Sequence, residues 1–175
     1  MAVFGSSQTE PDSPDWDDAE RAGRTFALAG LDVVTGGYGG TMEAVSRGAA
    51  QAGGHVVGII APDLFPTRSA ANPWVAEAIE ASSLAGRIDL MMEMSAATLA
   101  LPGSIGTAAE LIISWNINHI VRRHGLPTYP SAAVGNEWKE VGRALIDLVG
   151  AGKDDIHWAE SADEGVSWIL QTGRF

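Results

Sequence analysis

The chain has 175 residues, 46% of them apolar, with 21 glycines, no cysteine and a formal net charge of −11. That length supports one domain with a core of its own. The lack of cysteine excludes disulfides and thiolate metal sites, and the acidic balance argues against a nucleic-acid or membrane surface, both of which need clustered Lys and Arg. A small anion held by backbone amides remains compatible with it. No apolar run approaches the ~20 residues that span a bilayer. Met1-Ala2-Val3-Phe4-Gly5 lacks the basic start and long apolar region of a signal peptide, so a cytoplasmic location is expected.

In chain order, Ala2-Val3-Phe4 reads as a first strand ending in the turn Gly5-Ser6-Ser7. A polar loop with Pro11 and Pro14 follows. Ser13-Pro14 has the form of an N-cap with proline at the first helical position, and the helix runs through Ala19, Ala22, Phe26 and Leu28 to Gly30. Leu31 to Thr35 is the second strand. It feeds Gly36-Gly37-Tyr38-Gly39-Gly40-Thr41-Met42-Glu43 and a second helix, and His55 to Ile60 is the third strand. Two strand–helix–strand units in succession predict a Rossmann-like, doubly wound parallel sheet with helices on both faces, built as a single domain over residues 1–175. Residues 61–73, with three prolines, form the longest irregular stretch and are long enough to serve as a loop over a site. Trp74 to Met94 reads as a helix that would break near Ser82-Ser83. A strand at Ala132-Ala133-Val134, a helix from Glu137 to Val149, an edge strand at Ile156-His157-Trp158 and a final helix opened by Ser161-x-x-Glu164 complete the chain.

Between them lies the stretch on which function is expected to centre. The apolar run Ala96 to Leu101 reads as a buried strand. It is followed by Pro102-Gly103-Ser104-Ile105-Gly106-Thr107-Ala108-Ala109-Glu110 and a helix extending past Ile120. Strand, glycine turn, helix is the arrangement that aims unpaired backbone N–H groups and a positive dipole end at an anion. Thr107-x-x-Glu110 can also be read as a capping box, in which Glu110 only bonds its own helix start. The two readings are compatible, because the dipole at a helix start would hold a carboxylate in place and keep it ionised.

The other motifs have plainer alternatives. Four glycines among Gly36, Gly37, Gly39 and Gly40 exceed what a simple turn requires and suggest a close backbone approach to a ligand. On spacing alone, Arg87 reads as a solvated helix arginine paired with Asp89 or Glu93. Met91, Met92 and Met94 read as core filler, and Trp115 as core or subunit contact. The four histidines show no ligand spacing, so no metal site is expected. Gly-x-Ser-x-Gly and Gly-x-Gly-x-x-Gly are both absent from the expected positions, which disfavours an acyl-transfer serine and a dinucleotide oxidoreductase.

Pro102 to Glu110 resembles the Pro-Gly-Gly-x-Gly-Thr-x-x-Glu signature of the Lonely Guy family of cytokinin-activating nucleoside 5′-monophosphate phosphoribohydrolases. Gly5-Ser6-Ser7 is similar to that family's first phosphate turn, Gly36 to Met42 to its second glycine segment. Arg87 stands fourteen residues before Leu101, where the family carries the arginine of an Arg-Lys pair. The resemblance covers Val3 to Trp115. Ser104 stands for the second glycine of the signature, Ile88 for the lysine, Thr41 for a leucine and Glu43 for a glycine. The stretch Thr67 to Val75 resembles a divergent branch that is also similar to molybdenum-cofactor carrier proteins, which bind without hydrolysing.

The resemblance implies Glu110 and Arg87 as catalytic residues. It implies substrate and phosphate binding by Gly5, Ser6, Gly36, Gly37, Gly39, Gly40, Thr41, Pro102, Gly103, Ser104, Ile105, Gly106 and Thr107. It implies a small nucleotide monophosphate as substrate, no cofactor, and a homodimer or higher even homo-oligomer in which the central helix is one contact surface.

Overall fold

Short strands that are apolar on both faces need helices above and below them. The chain, described here by a computed structural model at residues 1–68, 70–173 and 175, supplies three helices on each side. Its elements are β1 (Ala2–Phe4), α1 (Pro14–Leu28), β2 (Val33–Thr35), α2 (Thr41–Gln51), β3 (Val56–Ile60), β4 (Glu77–Glu80), α3 (Leu84–Glu93), β5 (Thr98–Ala100), α4 (Ile105–Arg123), β6 (Ser131–Val134), α5 (Asn136–Val149), β7 (His157–Ala159) and α6 (Ala162–Thr172). Among the described residues the strands form one parallel sheet in the order β4-β3-β2-β1-β5-β6-β7. This is the expected doubly wound Rossmann-like single domain.

Alternation along the strands divides the core. Val3, Val33, Val56 and Leu99 point to the face covered by α1, α2 and α6, where Phe26, Val45 and Ile169 pack. Ala2, Phe4, Val34, Val57 and Ala100 point to the other face, against Met91 of α3, Leu111 and Trp115 of α4 and Trp138 of α5. Trp115 is core: its ring meets Trp158 edge-on at 5.2 Å and its Nε1 donates to the Gly152 carbonyl at 2.9 Å. Of the three methionines assigned to the core, Met91 is fully buried and Met94 is exposed.

Ser13 caps α1 by accepting from Trp16 N, with Pro14 in the first turn, as its sequence requires. The helix expected over Trp74 to Met94 does not form as one element. Its first part is β4, which pairs with β3 from Val57 opposite Glu77 to Ile60 opposite Glu80. The Glu-Ala-Ile-Glu sequence has little strand propensity of its own. At a sheet edge, the backbone bonds offered by β3 decide the conformation while the glutamates stay in water. Ser83 then starts a new helix, its Oγ accepting from Gly86 N.

The chain builds outward from β1 through β2, β3 and β4, then returns to the opposite side of β1 with β5 and builds outward again. The loops leaving β1 and β5 therefore diverge to opposite faces. The crevice at their C-terminal ends is where open α/β sheets place ligands.

Candidate active site

The Gly5-Ser6-Ser7 turn after β1 joins the two glycine segments. Ser6 N donates to the Pro102 carbonyl at 3.3 Å, and Thr41 N donates to the Ser6 carbonyl at 2.8 Å. Gly40 has φ +70°, and a Cβ there would collide with the backbone of Ser6 and Ser7. The segments expected to converge are thus held together at the carboxyl edge of β1, β2 and β5.

Beside them opens a cavity of about 330 Å³. Gly5 and Ser7 line it from the first turn, Gly36 from the second, and Ser104, Ile105, Gly106, Thr107 and Glu110 from the start of α4. The N-cap Ser104 makes no side-chain bond to the helix. The amides of Ile105, Gly106 and Thr107 have no carbonyl one turn back, so they form an open set of donors at the positive end of a 19-residue helix. Thr107 Oγ1 is buried and has no hydrogen-bond partner among the described residues. Since α4 begins at Ile105, Thr107 is its third residue and Glu110 its sixth. The capping-box reading is thereby excluded: Glu110 is too far along the helix to reach its N-cap.

Glu110 instead meets Arg87. The Arg87 Nη1 lies 3.4 Å from Glu110 Oε1, and Arg87 Nε donates to the Ile59 carbonyl at 2.7 Å. The guanidinium also sits 5.8 Å from the centre of the Tyr38 ring. Both members of the pair are only 7% exposed, so the solvated arginine that spacing alone suggests is a buried one, and neither Asp89 nor Glu93 is its partner. Gly36 makes this position possible, because a Cβ there would overlap the guanidinium. Burial pushes the Glu110 carboxyl up to about 7 against the opposing pull of Arg87. The expectation that the helix dipole keeps this carboxylate ionised is therefore corrected: by the sixth residue the dipole's effect has faded and desolvation dominates. Burial also draws Arg87 below its ordinary value, with Glu110 opposing. The guanidinium stays charged, as arginine does throughout the accessible range.

Several residues assigned from sequence lie outside this cavity. Gly37, Gly39, Gly40, Thr41, Pro102, Gly103 and Ser6 do not line it. Gly37 N donates to Thr35 Oγ1, the Gly37 carbonyl accepts from Asn72, and Thr41 Oγ1 pairs with Thr9 Oγ1 at 2.8 Å. Gly103 packs its α-carbon against the Thr107 side chain. Lining residues without a role in the sequence reading include Leu84 of α3 and, from the loop 61–73, Phe65 and Arg68. An aromatic and a cation in a proline-bounded loop directly after a central strand were the available signal. Among the described residues no group of three or more His, Asp or Glu gathers as a metal site, and no helix is long and apolar enough to cross a membrane.

A parallel α/β sheet with an amide-lined helix start at its switch point, and a buried carboxyl–guanidinium pair beneath it, defines a Rossmann-like domain. Residues 1–145 match the model of the SLOG cluster4 family, and the chain belongs to that family. It is 35% identical over 101 residues to the cytokinin riboside 5′-monophosphate phosphoribohydrolase of Rhodococcoides fascians, covering 56% of this chain and 51% of that protein. The chain spans about half the length of the curated relatives it matches. Among solved structures, the structural-genomics protein TM1055 is 26% identical with a TM-score of 0.74 over 97% of both chains. The molybdenum cofactor binding protein of Rippkaea orientalis shares the fold at 22% identity and a TM-score of 0.74, over 98% of this chain and 93% of that one.

Proposed function

We propose that the protein hydrolyses the N-glycosidic bond of a nucleoside 5′-monophosphate, giving the free base and ribose 5-phosphate. The observation that carries the reading is the Glu110–Arg87 pair buried in the cavity beneath the open amides of α4. In this reading the 5′-phosphate sits on the amides of Ile105, Gly106 and Thr107, with the unpartnered Thr107 hydroxyl as a further donor. The ribose then lies over Glu110. As the C1′–N bond breaks, positive charge grows on the ribose ring, and an ionised carboxylate beside it lowers the barrier. The same carboxylate takes a proton from the water that attacks C1′ and passes it on to the departing ring nitrogen, so that the base leaves neutral and Glu110 is regenerated. A group with its pKa near the operating pH suits that exchange. Arg87, fixed by the Ile59 carbonyl, holds Glu110 in orientation and places a permanent charge near the phosphate.

The relatives' names specify cytokinin ribosides, so N6-substituted AMP belongs in the substrate panel beside AMP and GMP. The chemistry requires no metal or redox cofactor. The exposed Ile112, Ile113 and Ile120 on α4 supply the surface on which a second copy would pack, consistent with a homodimer. The cytoplasm remains the expected compartment.

A second reading, a non-hydrolytic carrier of a nucleotide or of the molybdenum cofactor, is favoured by the likeness over nearly the whole chain to the Rippkaea protein. Incubation with the nucleotide panel separates the two. Release of free base, lost about 10²–10⁴-fold in Glu110→Gln, supports hydrolysis. Tight binding with no base released, and no effect of Glu110→Gln, supports the carrier.

A further inference from the structure

The loop 61–73 is held at Ala61 and at Asn72 and presents a cation, Arg68, to the cavity between them. At one end the Tyr38 hydroxyl accepts from Ala61 N at 2.8 Å. At the other, Asn72 Nδ2 donates to the carbonyls of Gly37 and Tyr38 at 3.2 and 3.0 Å, and Asn72 N donates to the Gly37 carbonyl at 2.7 Å. The middle of the loop turns back, with Arg68 N donating to the Phe65 carbonyl, and presents Phe65 and Arg68 to the cavity.

Phe65 packs edge-on against Tyr38 with ring centres 5.6 Å apart. The Arg68 guanidinium sits 5.9 Å from the Phe65 ring and 6.0 Å from that of Tyr38. The Tyr38 ring thus has both cavity arginines near it, Arg87 within and Arg68 at the mouth. Their situations differ. Arg87 is committed to the Ile59 carbonyl and Glu110, whereas the Arg68 side chain makes no hydrogen bond or ion pair among the described residues. In a protein with twice as many acids as bases, this is a cation kept from carboxylates and oriented only by aromatic faces. Five N–H donors in a rigid plane are left for a ligand.

We infer that Arg68 is a specificity-determining residue that binds a pair of adjacent acceptor atoms on the outer part of the ligand, and that the ligand is a 6-oxopurine nucleotide. The inference rests on the nucleotide reading of the same cavity. A guanidinium has donors only. The edge of a 6-oxopurine offers two adjacent acceptors, O6 and N7, which match the fork; a 6-aminopurine offers N7 beside an N–H donor that opposes it. The same fork would fit two oxygens of a second phosphate, so the test distinguishes the two sources.

Affinity and hydrolysis are measured for GMP, IMP, AMP and ADP with the full chain and with Arg68→Ala, Arg68→Lys and Arg68→Gln. Arg68 is exposed, so these variants keep the thermal transition of the parent. The expected result is tighter binding of GMP and IMP than of AMP, a loss of about 10-fold or more for GMP in Arg68→Ala carried by KM rather than kcat, and little change for AMP. Arg68→Lys keeps charge but not the fork and recovers only part of the preference. Arg68→Gln, which can both donate and accept, shifts the preference toward AMP. A preference for ADP over AMP that disappears in Arg68→Ala would assign the fork to a second phosphate and overturn the 6-oxopurine assignment. Equal affinities for all four ligands, or a GMP preference unchanged in Arg68→Ala, would overturn the role of Arg68. If no nucleotide is hydrolysed but GMP binding still depends on Arg68, the hydrolase reading fails and this inference stands.

Discussion

The two glycine-rich segments look like equal partners in sequence, but the fold gives them different tasks. Gly36 to Gly40 is largely turned inward. Gly37 closes on Thr35 and Asn72, Gly40 lets the chain pass against Ser6 and Ser7, and only Gly36 reaches the cavity, where it makes room for Arg87. Ser104 to Thr107 faces outward, with its amides and the Thr107 hydroxyl unengaged. A dense run of glycine therefore marks a close backbone approach, and the approaching group can be the protein itself.

Substitutions sharpen that contrast. The largest expected effect is on Glu110, as stated above. Gly36→Ala comes next: its Cβ displaces the Arg87 guanidinium, and turnover falls about 10²-fold with Glu110 left without its partner, as a steady-state assay would show. Gly39→Ala, three positions away, meets only Glu43 Oε2 at 3.7 Å and has no positive φ. It should leave turnover unchanged and stability within about 0.5 kcal/mol. Equal damage from both would break the distinction.

The second contrast concerns pH. The raised pKa of Glu110 means that the folded protein holds this proton more tightly than the unfolded chain does. The stabilisation is fully present below the ordinary carboxyl value of 4.5 and is lost as pH rises through about 7. The Glu110-dependent part of the stability, read as the difference between the parent and Glu110→Gln in denaturant titrations from pH 4 to 8, should decline by about 3 kcal/mol. The kcat/KM profile should rise with pH through the same region if the ionised form is the active one. A smaller effect on stability than that of the Glu110 proton is expected for Gly106→Ala. A Cβ there meets nothing within 4 Å, and alanine suits the first turn of a helix, so stability should rise by about 0.5–1 kcal/mol. On the proposed phosphate placement the same methyl group would stand in the path of the phosphate, so KM should increase. A stabilised variant with unchanged KM would remove the phosphate from this helix.

Much of the fold was legible because periodicity and turn residues agree with the final structure. Ser13-Pro14, Gly30 and Ser161 mark element ends locally, and the short apolar runs between turn residues mark the buried strands. β4 was not legible, because Glu77–Glu80 becomes a strand only when β3 is beside it. In the site, Pro102 to Glu110 announced a strand, a glycine turn and a helix start with open amides. The burial of Arg87, its pairing with Glu110 across 23 residues and the raised carboxyl pKa are products of tertiary packing, and no local pattern carries them. Arg68 was hidden for the same reason: its place depends on Asn72 and Tyr38 holding the loop ends.

The most direct test is a crystal structure of Glu110→Gln with a bound nucleoside 5′-monophosphate. The account predicts the phosphate on the amides of Ile105, Gly106 and Thr107, with C1′ beside residue 110. A phosphate seated on Gly37 to Gly40, or a ribose turned away from residue 110, would contradict it.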